Sequence, residues 1–127
     1  MTLDTIGISM KLLSSSELKV LHDNRIENLE EIQLTPSHIN HLLDDFAERE
    51  SISSRLVGHS FSGLPIKCLS IGNGPIKVLM WSQMHGDEST ATAAVLDLLH
   101  LLSCNETESL LKNSLDEKFQ SLITLHI

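Results

Sequence analysis

Two stretches of the chain carry apolar residues at helical spacing. The first predicts a helix over residues 36–49, with apolar positions at Ile39, Leu42, Leu43 and Phe46. Thr35 is a good N-cap for this helix, and Pro36 suits its first position, where the missing N–H costs nothing. The second predicts a helix of about four turns with its apolar face formed by Ala91, Ala94, Val95, Leu98, Leu99 and Leu102. The small side chains of Ala91 and Ala94 would let this helix approach a sheet closely.

Between these helices the pattern changes to that of strands. Residues 52–60 and 64–71 read as a strand pair joined by a short turn at 61–63. A glycine-rich turn at 72–75 then introduces the mostly apolar run 76–81, which is typical of a central strand covered on both faces.

The rest of the chain predicts a crossover. A further helical stretch covers about residues 106–119, and another strand begins at residue 122. The order strand, helix, helix, strand implies a parallel crossover in a mixed α/β sheet. We therefore expect a lead-in segment over residues 1–34 and one partial domain over 35–127, cut at its C-terminal end. An apolar strand that ends the chain without its neighbours favours self-association, because unpaired edges recruit other chains.

Composition excludes some partners. The net charge is −8 with nine Lys and Arg, and no basic run occurs, so the chain lacks the clustered positive charge that nucleic acids and anionic membranes require. No segment approaches the roughly 20 apolar residues of a membrane span. The N-terminus does not resemble a secretion signal, which makes a cytoplasmic location the default expectation. Cys68 and Cys104 form no CxxC pattern, and two buried thiols are favoured over a disulfide.

The candidate chemistry lies directly after the predicted central strand. His85 and Glu88 are three residues apart, so on a helix or in its first turn they can converge on one ion. Zinc accepts both an imidazole nitrogen and a carboxylate oxygen. Gly86 would permit a tight path between strand and helix. The spacing alone favours a structural role, in which His85 caps or packs and Asp87 and Glu88 complement the dipole of the following helix.

Residues 78–94 resemble a segment of the zinc carboxypeptidase family, that of carboxypeptidases A and B, and especially its bacterial members. That segment consists of a strand, then His-Gly-(Asn/Asp)-Glu, then a helix rich in Ser, Thr and Ala. The run Gly58-His59-Ser60-Phe61-Ser62-Gly63-Leu64-Pro65-Ile66 also resembles a hairpin of the family. The likeness covers about residues 35–127, most of this chain but well under half of a family catalytic domain.

The resemblance implies a zinc hydrolase that cleaves a peptide bond at a C-terminal residue, with His85 as first and Glu88 as second metal ligand. In the family the third ligand (a histidine), the general base and the groups that bind the substrate carboxylate all lie further downstream, with no counterpart before residue 127. The chain alone is therefore expected to be inactive. His126 is expected to face the sheet rather than to act as the third ligand, and His100 is expected to be exposed to solvent.

Two alternatives remain open from the sequence. Amidohydrolases similar to aspartoacylase and succinylglutamate desuccinylase also use an HxxE loop with a glycine after the histidine, and they cleave small N-acyl amino acids. The other alternative is a non-enzymatic α/β interaction module, in which His85 and Glu88 are structural. Retention of metal would distinguish this module from both enzymes.

Overall fold

The structure is a computed structural model that describes residues 14–27, 29, 34–104 and 123–127. Its fold is a mixed α/β arrangement, as the sequence predicts. In chain order the elements are α1 (Ser15–Asp23), α2 (Pro36–Ala47), β1 (Ile52–His59), β2 (Pro65–Ile71), β3 (Ile76–Leu79), α3 (Thr90–Ser103) and β4 (Ile123–His126). The helix predicted over 106–119 lies outside the described residues. Within the described part of the chain, no helix is long and apolar enough to cross a membrane.

The four strands form one sheet in the order β1-β2-β4-β3. β1 and β2 are antiparallel, β2 and β4 are antiparallel, and β3 runs parallel to β4. Helix α3 lies in the connection between the two parallel strands. The predicted parallel crossover is therefore confirmed.

The places of the last two strands differ from the prediction. β3 is at one end of the described strand order, whereas β4, which was expected to be an unpaired edge, lies between β2 and β3. In and just after β3, Ile76, Leu79 and Trp81 are 55%, 63% and 68% exposed. The apolar sequence of residues 76–81 does not distinguish a covered strand from an edge strand, because the strands that pair with it come from distant parts of the chain.

The β1–β2 hairpin is confirmed nearly residue for residue. Its turn is closed by the Ser60 N–H, which donates to the Leu64 carbonyl at 2.8 Å, and by the Gly63 N–H, which donates to the Ser60 carbonyl at 2.9 Å. Gly63 has a φ of 78°, a left-handed conformation that glycine adopts without a steric penalty.

Helices α2 and α3 cover the apolar face of the sheet. Phe46 from α2 and Leu96 and Leu99 from α3 pack with strand residues in one buried cluster, whose strand members are Ile52, Leu69 and Ile71. Thr35 caps α2 as predicted, since its hydroxyl accepts a hydrogen bond from the His38 N–H.

The opposite face of the sheet is polar near β4. The strand register places Ser70 beside His126 and Lys77 beside Thr124. His126 Nδ1 lies 2.7 Å from the Ser70 hydroxyl, and the Lys77 ammonium donates to Thr124 Oγ1 at 2.8 Å. His126 therefore faces the sheet, as the sequence analysis expected.

Helix α3 is rotated relative to the predicted apolar face. Its buried residues are Thr92, Val95, Leu96, Leu99 and Ser103, whereas Ala91 and Ala94 are exposed. The prediction that these two alanines face the sheet is wrong. Leu99 is fully buried and Leu98 is half-buried. Because α3 carries leucines around much of its circumference, the sequence alone does not select one face.

His100 is not the exposed residue that the sequence suggested. It is half-buried, and its ring meets the Phe46 ring edge-on at a centroid distance of 6.4 Å. Arg49, just beyond α2, lies 3.2 Å from His100 Nδ1 and donates to the Ser103 hydroxyl at 2.6 Å. Burial, and then the positive charge of Arg49, lower the pKa of His100 from its ordinary value.

Candidate metal-binding loop

The candidate ligands lie in a loop between the C-terminal end of β3 and the start of α3. His85 and Glu88 are both exposed in this loop, and the Glu88 N–H donates to the His85 carbonyl at 3.1 Å. This backbone hydrogen bond makes the segment from His85 to Glu88 a single turn. Because β3 and β4 are parallel, their C-terminal ends meet at the same edge of the sheet, where α/β proteins commonly bind ligands.

The turn precedes the helix instead of forming part of it. Helix α3 begins at Thr90 with Ser89 as its N-cap, and its first turn contains no acidic residue. Asp87 and Glu88 thus lie outside the first turn, where the helix dipole acts most strongly. Glu88 directly precedes the N-cap.

Gly86 does not have the role that the sequence suggested. Its φ is not positive, and a Cβ placed on it would meet no atom within 4 Å. The unusual backbone conformation belongs instead to Gln83, with a φ of 56°. A left-handed glutamine at this point was not predicted from the sequence.

The polar contacts that join the loop to α3 were also not predicted from the sequence. The Thr92 hydroxyl donates to Gln83 Oε1 at 2.9 Å and lies 2.9 Å from the Ser82 hydroxyl. One signal was available, because Thr92 occupies the same helical face as Val95, Leu96 and Leu99. A threonine at a core position needs a hydrogen-bonding partner.

The donor chemistry of the turn suits zinc, but the described residues supply only part of a ligand set. His85 offers an imidazole nitrogen and Glu88 offers carboxylate oxygens, which are both ordinary zinc ligands. Neither side chain hydrogen-bonds to another described residue, so both are available to a metal ion. Among the residues that the structure describes, no three His, Cys, Asp or Glu side chains are grouped closely enough to hold a metal.

Comparison with known proteins supports the fold. The chain is similar to the crystal structure of a metallo-carboxypeptidase from Burkholderia cenocepacia, with a TM-score of 0.64 and 20% sequence identity over 74% of this chain. It is also similar to a protein from Burkholderia mallei that is provisionally assigned as a carboxypeptidase, with a TM-score of 0.64 and 19% identity, again over 74% of this chain. The chain spans only 26% and 24% of the lengths of these two structures. No protein-family model and no curated protein matches the sequence.

Proposed function

We propose that this chain is part of a zinc-dependent metallocarboxypeptidase, in which His85 and Glu88 are two of the metal ligands. The observation that supports this function is the position of the exposed His85–Glu88 turn. It follows a strand that is parallel to its neighbour, in a fold similar to that of a metallo-carboxypeptidase. The substrate class is a peptide cleaved at its C-terminal residue.

A zinc ion held in part by His85 and Glu88 would supply Lewis acidity for the hydrolysis of a peptide bond. The residues of this chain contribute to the site by presenting an imidazole and a carboxylate from one short turn. Two protein ligands bind zinc less tightly than three, and a general base is also required for hydrolysis. We therefore expect the 127-residue chain by itself to show no carboxypeptidase turnover in the presence of zinc.

Zinc binding tests the assignment directly. Calorimetry and metal analysis should be run on the wild-type chain and on His85→Ala and Glu88→Ala. Each substitution should weaken zinc binding at least tenfold, since even the loss of an outer-shell partner costs about 10- to 100-fold in metal affinity.

Two matched controls are available in the exposed part of the chain. Asp87→Ala removes the neighbouring carboxylate in the same turn, and His59→Ala removes an exposed imidazole at the end of β1. Both controls should bind zinc like the wild type. Equal zinc binding by wild type, His85→Ala and Glu88→Ala would favour a non-enzymatic module and overturn the proposal. If a longer form of the protein hydrolysed N-acyl amino acids and no peptides, the metal site would stand but the substrate class would be wrong.

A further inference from the structure

The backbone of Gln83 has a conformation that needs support from its surroundings. Among the described residues it is the sole non-glycine residue with a positive φ, at 56°. A side chain with a Cβ is disfavoured in this left-handed region, and such residues persist where neighbouring contacts hold them in place. Gln83 lies two residues before His85, so its conformation directs the chain into the candidate metal-binding turn.

The side chain of Gln83 supplies those contacts. Its Nε2 donates to the Leu34 carbonyl at 3.2 Å and to the Gly86 carbonyl at 2.8 Å, and its Oε1 accepts from the Thr92 hydroxyl at 2.9 Å. Both amide hydrogens and the amide oxygen are thereby used. One side chain thus connects the segment before α2, the candidate turn and the first turn of α3.

The direction of these hydrogen bonds is fixed by their partners. Two carbonyl oxygens can only accept, so the NH₂ group of Gln83 must face Leu34 and Gly86. Thr92 must then donate its single hydroxyl proton to Oε1, which leaves the Ser82 hydroxyl to donate to Thr92. Thr92 is 6% exposed, and a buried hydroxyl that lost these partners would be costly.

The contact with Gly86 is the important one for function. Gly86 lies between His85 and Glu88, and its carbonyl is held by the Gln83 amide. We propose that Gln83 is a positioning residue for the metal site: its side chain holds the His85–Glu88 turn in the conformation that presents both ligands. This inference rests on the proposed function, because it assigns the turn a metal to bind.

Three substitutions of Gln83 separate its backbone from its side chain. Gln83→Gly removes the amide but relieves the left-handed backbone, which glycine tolerates. Gln83→Asn keeps an amide and tolerates positive φ, but its side chain is one methylene shorter. Gln83→Glu keeps the length and replaces the NH₂ donor by a carboxylate oxygen, which faces two carbonyls unfavourably.

The first measurement needs no metal. The Glu88 amide proton hydrogen-bonds to the His85 carbonyl, so its rate of exchange with solvent, measured by NMR, reports how fully the turn is formed. All three Gln83 variants should increase this rate about fivefold or more, while the amide of Leu99 in α3 exchanges as in the wild type. If the Glu88 rate is unchanged in Gln83→Gly and Gln83→Asn, the side chain does not hold the turn and the inference is wrong.

A second pair of variants reaches the same contact from the helix, in case the Gln83 variants fold poorly. Thr92→Val removes the hydroxyl that donates to Gln83 Oε1 and changes the shape of the side chain little. Thr92→Ser retains a hydroxyl and serves as its matched control. The Glu88 amide should exchange faster in Thr92→Val and at close to the wild-type rate in Thr92→Ser. Equal rates in these two variants would contradict the inference.

The second measurement uses Co²⁺ alone as the probe, through its visible absorption. Gln83→Gly and Gln83→Asn should bind Co²⁺ about tenfold more weakly than the wild type, with Asp87→Ala as the unchanged control. If His85→Ala weakens Co²⁺ binding and the Gln83 variants do not, the inference about Gln83 fails and the proposed function stands. If His85→Ala leaves Co²⁺ binding unchanged, the proposed function itself fails, and the inference fails with it.

Discussion

The Arg49 guanidinium joins the C-terminal ends of α2 and α3, and replacing it by lysine should destabilise the chain. Arg49 donates to the Ser103 hydroxyl at 2.6 Å, lies 3.2 Å from His100 Nδ1 and places its guanidinium carbon 4.5 Å from the centre of the Phe46 ring. Lysine keeps the positive charge but cannot make two directed hydrogen bonds while stacked on a ring.

The size of the effect follows from these contacts. A hydrogen bond that involves a charged group contributes about 1.5–3 kcal/mol, and an exposed cation–π contact about 0.5–1 kcal/mol. Since Arg49 is only half-buried and lysine can keep one hydrogen bond, we expect Arg49→Lys to lower the free energy of unfolding by about 1–2 kcal/mol. For a chain of this size, each kcal/mol corresponds to a fall in Tm of roughly 3–6 °C.

Thermal and urea unfolding of Arg49→Lys should be compared with Arg55→Lys. Arg55 is exposed on β1, so its replacement should change the unfolding free energy by less than about 0.5 kcal/mol. A double-mutant cycle with Ser103→Ala should give a coupling energy of about 1 kcal/mol between Arg49 and Ser103. If Arg49→Lys and Arg55→Lys melt together, or if the coupling is zero, Arg49 does not stabilise the contact between the two helix ends.

Three further predictions concern pH, the core and association. Because burial and Arg49 lower the pKa of His100 from 6.5, the unfolded chain binds a proton more readily than the folded one just below that pH. The free energy of unfolding should therefore fall as the pH drops from about 6.5. Urea unfolding should show a smaller fall with pH for His100→Gln, and an equal fall in the variant and the wild type would contradict this. Leu69→Ala at a fully buried site should cost about 2–5 kcal/mol, whereas Leu56→Ala, at a residue 55% exposed, should cost much less. We expect the wild-type chain to self-associate through β3, which ends the strand order among the described residues. Leu79→Lys should reduce the rise of the sedimentation coefficient with protein concentration, and a compact wild-type monomer would refute this.

The sequence by itself determined the local elements and the position of the candidate turn. Thr35 and Pro36 begin α2 where their capping chemistry predicted, and the Gly63 turn joins the two hairpin strands. These features depend on residues within a few positions of one another, so local propensity specifies them. The His85–Glu88 turn was likewise expected between a strand and a helix, and it lies in the loop between β3 and α3, because its residues are contiguous in sequence.

Only the tertiary structure decided which strand is central, which side of α3 is buried and what holds the turn. β4 lies between β2 and β3 through pairings that span about fifty residues, and no local pattern encodes that neighbour. Thr92 rather than Ala91 faces inward on α3 because leucines on several sides of the helix leave its rotation to packing. The Gln83 amide contacts Leu34, which is far away in sequence, so its role depends on the fold that brings the two residues together.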